Sequence, residues 1–264
     1  MFTQFSLEGR GVIVTGGGSG IGYGMAQALL LAGANVAIWG TSDRTLKARD
    51  ALAKATNAAG RIHGFICDVS DEQQVEDTFG ATAAALGQVN ACFANAGVSG
   101  FAGGAGGKGT PLVEMTVEEF RRVQKTNVEG VFLTFRAASR YMVEQKCGGS
   151  LVATASIAAI AGAVRNSHYC ASKGAVTALV RALAVELAKH QIRVNTILPG
   201  WVSTPMTERL FREERVASVI LPRIPARRWG AIDDFGGIAV YLASDASAYT
   251  TGEQFVIDGG YTKF

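Results

Sequence analysis

Short apolar runs alternate along this chain with longer segments in which apolar and polar positions mix. The first run, Gly11 to Thr15, ends in glycines, and a mixed segment around Ile21 to Ala32 follows it. Short runs that are apolar throughout predict strands buried on both faces, and the mixed segments predict helices. Further strands are predicted at Asn35–Trp39, Arg61–Cys67, Val89–Ala94, Ser150–Ala155, Arg193–Leu198 and Gln254–Ile257, and further helices at about Asp43–Ala59, Glu72–Leu86, Thr116–Gln145, Ser167–His190 and Asp233–Ser244.

Strands that alternate with helices in this way predict βαβ units and a parallel sheet. We therefore expect an α/β fold of the Rossmann type, with a doubly wound parallel sheet and helices on both faces. The length of 264 residues suits one domain over residues 1–264, and no internal repeat or interdomain linker is evident. The glycine-rich stretch Gly100–Gly109 indicates a loop.

Composition excludes several classes of protein. The net charge of +3, without a block of Lys and Arg, argues against nucleic-acid binding. No apolar stretch reaches the length of about 18 residues that a membrane span needs. The start, Met1 to Gly9, lacks a cationic segment before an apolar run, so no secretory signal is predicted. The scattered cysteines predict reduced thiols in the cytoplasm and no metal site; they are Cys67, Cys92, Cys147 and Cys170.

A glycine-rich turn, Thr15-Gly16-Gly17-Gly18-Ser19-Gly20-Ile21-Gly22, joins the first predicted strand to the first helix. Glycine lets the chain turn tightly and lets a pyrophosphate approach the backbone, and the helix start offers free N–H groups to phosphate. Glycines also mark ordinary strand-to-helix turns, so the motif gains weight only from its context. The candidate cofactor residues here are Gly16, Gly18, Ser19, Gly20, Ile21 and Gly22.

A second group of residues carries candidate chemistry. Tyr169 and Lys173 lie four residues apart, which places them on one face of a helix, and Ser156 lies thirteen residues upstream. A free tyrosine has a pKa near 10, and a lysine cation nearby favours its phenolate. Tyr169 is then suited to acid/base work, with Ser156 as a hydrogen-bond donor to the reacting oxygen.

The glycine turn and the Ser-Tyr-Lys set, in this order, resemble the short-chain dehydrogenase/reductase family over nearly the whole chain. The resemblance implies reversible hydride transfer between NAD(P)(H) and a secondary alcohol or ketone, with Tyr169 as acid/base. Lys173 would hold the nicotinamide ribose, and Asn127 matches the family residue that holds a water in a relay to the lysine. The implied catalytic residues are Asn127, Ser156, Tyr169 and Lys173.

Three further segments match the family's cofactor site. Asp68-Val69 stands where the family contacts adenine, Asn95-Ala96-Gly97 where it forms the cofactor wall, and Pro199-Gly200-Trp201-Val202-Ser203-Thr204 where it closes over the nicotinamide amide. Asp68 is equally suited to a turn or a helix N-cap, and Asn95 to a structural turn. The cofactor residues implied are Asp68, Val69, Asn95, Ala96, Gly97, Tyr169, Lys173, Pro199, Gly200, Val202 and Thr204.

Cofactor preference depends on the end of the second strand. NAD-preferring relatives commonly have a carboxylate there, whereas this chain has Gly40. Thr41, Ser42 and Arg44 are suited to a 2′-phosphate, but Ser19 stands where many NADP-dependent relatives have a basic residue. The two signals conflict, and we expect NADP(H) slightly ahead of NAD(H). Asp43 is suited to capping the next helix.

The substrate loops are expected beyond the carboxyl ends of the strands, at residues 99–110, 157–167 and 204–229. The glycine-rich loop, Ser99 to Thr110, is either a lid with Phe101 and Lys108 as contacts or an insertion without a role. His168 is expected to be structural or to face the substrate. The charges of the third loop alternate, which indicates a solvated helical face or one arginine for a substrate carboxylate; they are Glu208, Arg209, Arg212, Glu213, Glu214, Arg215, Arg223, Arg227 and Arg228.

The segment Arg223 to Gly230, with Asp258-Gly259-Gly260, resembles bacterial sugar-acid and secondary-alcohol dehydrogenases of the family. The resemblance also implies a homotetramer, with a dimer as second choice, built on the helices Thr116–Gln145 and Ser167–His190. A nucleotide-sensing protein without turnover is the main alternative, although it would not need Ser, Tyr and Lys together. An isomerase or lyase would need a longer chain with an added substrate lobe.

Overall fold

A computed structural model describes residues 3–101 and 109–263, the side chains of residues 209 and 210 excepted. Its strands form one parallel sheet in the order β3-β2-β1-β4-β5-β6-β7. The strands are β1 (Gly11–Thr15), β2 (Asn35–Gly40), β3 (Ile62–Ile66), β4 (Ala91–Ala94), β5 (Gly149–Thr154), β6 (Ile192–Pro199) and β7 (Gln254–Ile257). The predicted doubly wound α/β fold is confirmed.

Helices cover both faces of this sheet. They are α1 (Gly20–Leu31), α2 (Arg44–Thr56), α3 (Glu72–Leu86), α4 (Val117–Gln124), α5 (Gly130–Gln145), α6 (Ser167–Leu187), α7 (Glu208–Phe211), α8 (Glu214–Ile220) and α9 (Gly236–Ala243). No helix of the described ranges combines the length and apolarity that a bilayer crossing requires.

The core has two layers because successive side chains of each strand point to opposite faces. On β1, Val12 and Val14 pack in the layer of α1 and α9, and Ile13 packs in the layer of α3, α5 and α6. Both layers are apolar along the strands, which explains why the strand sequences show no alternation.

The strand order reverses between β1 and β4, whose neighbours lie on opposite sides. At such a point the connecting segments leave a crevice beyond the carboxyl ends of the strands. The glycine turn after β1 and the segment after β4 both open at this crevice, so the topology itself places the candidate cofactor residues together.

Two predicted helices differ from the structure in detail. The helix predicted over Thr116–Gln145 is helical from Val117 to Gln145 but contains a π-helical turn at Lys125–Glu129, between α4 and α5. The helix predicted to end at Ala59 ends at Thr56, where Asn57 adopts a left-handed conformation with φ of 51°. Most of the glycine-rich loop, residues 102–108 with Lys108, lies outside the described residues, so its role as a lid stays a prediction.

Candidate active site

The glycine turn has two glycines with a positive φ, and at one of them the backbone also approaches a neighbouring segment closely. Gly16 has φ of +66°, and a Cβ atom there would lie 2.9 Å from Ala96 Cα. Gly20 also has a positive φ, +57°. Side chains are strained in this region of backbone conformation, and the close approach at Gly16 brings the ends of β1 and β4 together.

The start of α1 is open to a ligand. Ser19 is the N-cap residue, but its side chain makes no hydrogen bond to the first turn. The N–H groups of that turn therefore have no side-chain partner, and the helix dipole adds positive charge at the same place. This combination fits a phosphate group.

Thr15 and Asn95 tie the two strand ends to each other. Thr15 Oγ1 accepts hydrogen bonds from the backbone N–H groups of Asn95 and Ala96, both at 3.0 Å. Asn95 Nδ2 donates to the carbonyl oxygen of Thr15 at 3.1 Å. Asn95 thus has the structural role considered from the sequence, and it also lines a cavity.

Two adjoining cavities occupy the crevice. We call the first, which Ser156, Tyr169 and Lys173 line, the catalytic cavity, of about 250 Å³. We call the second, at the end of β2 where the family resemblance implies the adenosine half of the cofactor, the adenosine cavity, of about 360 Å³. The predicted residues that line the catalytic cavity are Gly16, Ser19, Gly20, Ile21, Asn95, Ala96, Gly97, Ser156, Tyr169, Lys173, Pro199, Gly200, Val202 and Thr204. Those that line the adenosine cavity are Gly16, Gly18, Ser19, Thr41, Ser42, Asp68, Val69, Ala96 and Gly97.

Gly22 lines neither cavity. A Cβ atom there would lie 2.5 Å from Asn95 Nδ2 and 2.5 Å from the carbonyl oxygen of Gly16. Its absent side chain lets α1 pack directly onto the glycine turn.

The end of β2 is crowded by the first turn of α2. Thr45 is buried, and a Cβ atom at Gly40 would lie 2.4 Å from its Oγ1. Thr41, Ser42 and Arg44 line the adenosine cavity beside it. Asp43 occupies the N-cap position, but its side chain makes no capping hydrogen bond.

Asp68 has the turn role considered for it, and its contact with adenine stays a prediction. Its Oδ1 accepts hydrogen bonds from the backbone N–H of Ser70 at 2.9 Å and from Ser70 Oγ at 2.8 Å, which closes a turn. It also lines the adenosine cavity. The cap of α3 is Asp71, which accepts from Gln74 N at 3.1 Å.

Tyr169 lies in the first turn of α6 and faces Ser156 across the catalytic cavity. Burial raises the pKa of Tyr169 to about 12, although a hydrogen bond with Ser156 acts in the opposite direction. Ser156 Oγ also accepts from Ala158 N at 3.1 Å, which fixes the turn after β5. The largest effect on this pKa in the protein without cofactor is therefore burial, which favours the neutral phenol.

Lys173 is buried one turn further along α6. Its Nζ donates to the carbonyl oxygen of Thr154 at 2.8 Å and lies 5.6 Å from the centroid of the Tyr169 ring. Burial lowers the pKa of Lys173 to about 8. The hydrogen bond ties α6 to the carboxyl end of β5, and the charge stays beside the tyrosine.

Asn127 lies in the π-helical turn and lines neither cavity. Its Nδ2 donates to the carbonyl oxygen of Val98 and to Ser172 Oγ, both at 3.1 Å, and its Oδ1 accepts from Val98 N at 2.8 Å. A Cβ atom at Gly97 would lie 3.2 Å from Asn127 Oδ1 and 3.6 Å from Lys173 Nζ. The side chain thus fixes the segment after β4 close to the lysine, and π turns often occur at functional sites.

His168 does not face the substrate side. It is fully buried, and its Nε2 lies 3.7 Å from Glu119 Oε1.

Two arginines of the third predicted substrate loop form ion pairs. Arg212 pairs with Glu208 on an exposed helical face, which agrees with the prediction of a solvated helix. Arg228 donates to both carboxylate oxygens of Asp234, at 2.6 and 2.8 Å.

Several residues that line the two cavities were not predicted as site residues. They are Val98, Thr154 and Ala155 in the catalytic cavity, and Thr45, Cys67, Val98 and Thr126 in the adenosine cavity. Val98 directly follows the segment Asn95-Ala96-Gly97, and Thr154 and Ala155 directly precede Ser156, so adjacency to a recognised motif was the available signal for these three. Pro205, Met206 and Thr207 lie in the third predicted substrate loop. Among the described residues, no cluster of three or more His, Cys, Asp or Glu side chains is arranged to hold a metal.

Comparison with known proteins identifies the family. Residues 16–262 match the family described as enoyl-(acyl carrier protein) reductase. The 2,5-dichloro-2,5-cyclohexadiene-1,4-diol dehydrogenase of Sphingobium indicum is 36% identical over 97% of this chain and 98% of the relative.

Solved structures agree in fold and length. A short-chain type dehydrogenase/reductase from Mycobacterium marinum has a TM-score of 0.89 and 39% identity over 98% of both chains. A gluconate 5-dehydrogenase from Burkholderia cenocepacia, in complex with NADP and tartrate, has a TM-score of 0.88 and 28% identity over 99% of this chain and 98% of that one. The alternative of a binding protein without turnover is not favoured, because these relatives are named as enzymes. The chain belongs to the short-chain dehydrogenase/reductase family and is an NAD(P)-dependent oxidoreductase that acts on CH–OH groups.

Proposed function

We propose that Tyr169 transfers the proton in the interconversion of a neutral secondary alcohol and its ketone. The proposal rests on one observation: Tyr169, Ser156 and Lys173 line the same cavity as the glycine turn. Tyr169 takes the hydroxyl proton of the alcohol, or returns it to the developing alkoxide in reduction. Ser156 donates a hydrogen bond to the same substrate oxygen and stabilises its charge.

The residues around the crevice fit a dinucleotide. The open start of α1 and the positive-φ glycines suit the pyrophosphate, and Asp68 and Val69 suit the adenine end. Lys173 would hold the nicotinamide ribose through its ammonium group, and Pro199, Gly200, Val202 and Thr204 would close over the amide. Bound NAD(P) supplies the hydride acceptor or donor for the reaction.

Within that site we favour NADP(H) slightly over NAD(H). Gly40 provides no carboxylate to bind ribose hydroxyls or to repel a 2′-phosphate, and Thr41, Ser42 and Arg44 line the cavity there. Hydroxyl and guanidinium groups are suited to phosphate oxygens. Ser19 argues in the opposite direction, for NAD(H), because it stands where many NADP-dependent relatives have a basic residue.

The lining of the catalytic cavity supports a neutral substrate. Among its described lining residues the one charged side chain is Lys173, which is bonded to Thr154. Val98, Met206 and Val202 give apolar surface, and Thr204 and Thr207 give hydroxyl groups. A substrate carboxylate would find no free cation in this described lining, and burying an unpaired charge is costly.

The catalytic assignment is tested with Tyr169→Phe, which removes only the proton-transferring hydroxyl. Turnover should fall about 10²–10⁴-fold while the cofactor still binds. Tyr249→Phe is the matched control, because it removes the same hydroxyl from a tyrosine that is fully exposed and does not line the catalytic cavity. Near-native turnover in Tyr169→Phe would contradict the assignment.

The substrate proposal is tested with pairs of alcohols that differ only in a carboxylate. Formation of reduced nicotinamide is followed spectroscopically with each cofactor. We expect higher kcat/KM for the neutral member of each pair, and a preference of more than about tenfold for the acid, worth roughly 1.4 kcal/mol, would overturn the proposal.

We also propose a cytoplasmic homotetramer, with a dimer as second choice. All four cysteines are free thiols, which suits a reducing compartment. Phe120 and Phe132, on α4 and α5, are 42% and 46% exposed, and large exposed apolar surfaces mark interfaces. Sedimentation analysis of the wild type and of Phe132→Glu tests this: a wild-type monomer would contradict the assembly.

A further inference from the structure

A buried histidine next to the catalytic tyrosine has no role in the proposed proton transfer. The His168 side chain has 0% exposure, and neither ring nitrogen has a hydrogen-bond partner among the described residues. Its Nε2 lies 3.7 Å from Glu119 Oε1. A buried polar ring without a satisfied partner is unfavourable, so the placement of this ring beside a carboxylate calls for a function.

Glu119 is itself fixed in place. It lies in the first turn of α4, where its backbone N–H donates to the N-cap hydroxyl of Thr116 at 3.1 Å. Thr110 Oγ1 lies 2.9 Å from one carboxylate oxygen and 3.1 Å from the other. The side chain is 16% exposed, and a negative charge is favoured at a helix N-terminus. Glu119 is therefore a carboxylate fixed in place beside the His168 ring.

The start of α6 needs support from outside the helix. Its N-cap residue, Asn166, makes no side-chain capping hydrogen bond, and Tyr169 is only the third residue of the helix. Uncapped first turns leave N–H groups without helical partners. Gln124 Nε2 donates to the carbonyl oxygen of His168 at 2.8 Å, and Asn127 Nδ2 donates to Ser172 Oγ at 3.1 Å.

These contacts flank Tyr169 on both sides in sequence. Side chains of α4 and of the π turn contact α6 at His168 and at Ser172, and the Glu119 contact reaches a side chain of the first turn. We propose that the Glu119–His168 contact positions Tyr169, by fixing the uncapped turn of α6 from which the phenol projects. The inference rests on the proposed role of Tyr169 in proton transfer.

The size of the effect follows from the geometry of the reaction. A misplacement of about 1 Å in a catalytic group costs as much as about 10²-fold in rate. Loss of the contact lets the turn shift while the rest of α6 stays packed, so the chemical step should slow more than binding weakens.

Two substitutions remove the contact from opposite sides. His168→Phe keeps a buried ring and removes the nitrogens, and Glu119→Leu removes the carboxylate. Each should lower kcat about tenfold, leave the dissociation constant of the cofactor within about twofold, and raise the primary deuterium isotope effect measured with substrate deuterated at the reacting carbon. Their combination should lose no more than the worse single variant, because both remove one interaction.

Conservative and neutral variants separate positioning from general damage. Glu119→Gln keeps an oxygen acceptor in the same place and should retain kcat within about threefold, which Glu119→Leu does not. Glu118→Gln is the matched control, because Glu118 is the exposed neighbour on the same turn. If His168→Phe does not fold, the Glu119 series decides.

Unchanged kcat and isotope effect in Glu119→Leu and in folded His168→Phe would overturn the inference. It is equally overturned if kcat falls only together with an equal loss of cofactor affinity. Tyr169→Phe is measured in parallel: retained turnover there defeats the proposed function, whereas lost turnover with unaffected Glu119 variants defeats the positioning inference alone.

Discussion

The hydroxyl of Thr45 occupies the space that a side chain at Gly40 would need, since a Cβ atom on Gly40 would lie 2.4 Å from Thr45 Oγ1. The first turn of α2 therefore closes directly over the end of β2. A carboxylate at this strand end is the common NAD-type feature in the family. In this chain the packing of α2 opposes a carboxylate there as long as Thr45 is present.

Cofactor preference should therefore change only when both positions change. Gly40→Asp with Thr45→Ala should shift the ratio of kcat/KM values toward NAD(H) by more than about tenfold, roughly 1.4 kcal/mol. The new carboxylate accepts from the ribose hydroxyls and repels a 2′-phosphate. Gly40→Asp alone should lower the melting temperature and shift the ratio less.

Steady-state kinetics with both cofactors, alongside thermal unfolding, tests this prediction. Gly40→Ala is the control, because it introduces the steric conflict without the charge and should weaken both cofactors alike. If wild type already prefers NAD(H) by more than about tenfold, the NADP(H) proposal is wrong whatever the variants do.

The pH dependence of the reaction should reflect the raised pKa of Tyr169. Burial raises that pKa to about 12, so the phenol is protonated at neutral pH and the basic form is scarce. The positive charge of oxidised nicotinamide lowers the pKa of Tyr169 in the complex. Alcohol oxidation should therefore speed up with rising pH, by about tenfold per pH unit while the tyrosine stays mostly protonated, and ketone reduction should be favoured at lower pH.

Ser156→Ala gives this prediction its test. The hydrogen bond with Ser156 lowers the pKa of Tyr169, so its loss should move the pH profile of kcat/KM for oxidation to higher pH. Ser167→Ala is the control. Ser167 is exposed on α6, the helix that carries Tyr169, and its loss should leave the pH profile unchanged. A Ser156→Ala profile that differs only in height would show that the hydrogen bond does not act through the tyrosine pKa.

The fold followed from the sequence because its signal is local and repeated. The inner strands are buried and apolar on both faces, as with Gly11–Thr15, and the helix after each strand brings the chain back to start the next strand in the same direction. The parallel order was therefore predictable. The π turn around Asn127 was not, because the sequence on either side of it is compatible with an uninterrupted helix and the turn is a short, local departure.

The site was predictable where residue type is dictated by backbone geometry or by the chemistry itself. Gly16 is required by a positive φ, and Tyr169 and Lys173 by their spacing on one helix face. The raised pKa of Tyr169 was not predictable, because the burial that raises it depends on side chains distant in sequence. The conflict of Gly40 with Thr45 likewise needs the packing of α2 on β2.

Lys173 should limit stability as well as support activity. Its pKa falls from 10.5 to about 8 on folding because burial disfavours the charged form. Below about pH 8 both the folded and the unfolded chain carry the ammonium, so the penalty is complete, about 3 kcal/mol at most. Between about pH 8 and 10.5 the folded chain releases the proton first, and the penalty disappears as pH rises.

Lys173→Met should therefore raise the melting temperature at pH 7 while abolishing most turnover. The gain should shrink as the pH approaches 10.5, where wild-type Lys173 is neutral in the folded chain. Thermal unfolding across this range measures it. An equal loss of stability at every pH would mean that the hydrogen bond to Thr154 outweighs the cost of burying the charge.

Two helical glycines should respond to alanine in opposite ways. A Cβ atom on Gly22 would lie 2.5 Å from the carbonyl oxygen of Gly16, so Gly22→Ala must push α1 away from the glycine turn. Gly80, exposed on α3, has no heavy atom within 4 Å of its added Cβ atom. Gly80→Ala should stabilise the protein by about 0.5–1 kcal/mol, because alanine loses less backbone entropy in a helix. Gly22→Ala should destabilise it by about 1–3 kcal/mol through forced displacement in a packed site. Denaturant unfolding of both variants measures the difference, and a Gly22→Ala variant as stable as wild type would show that the close approach of α1 to the turn is not required.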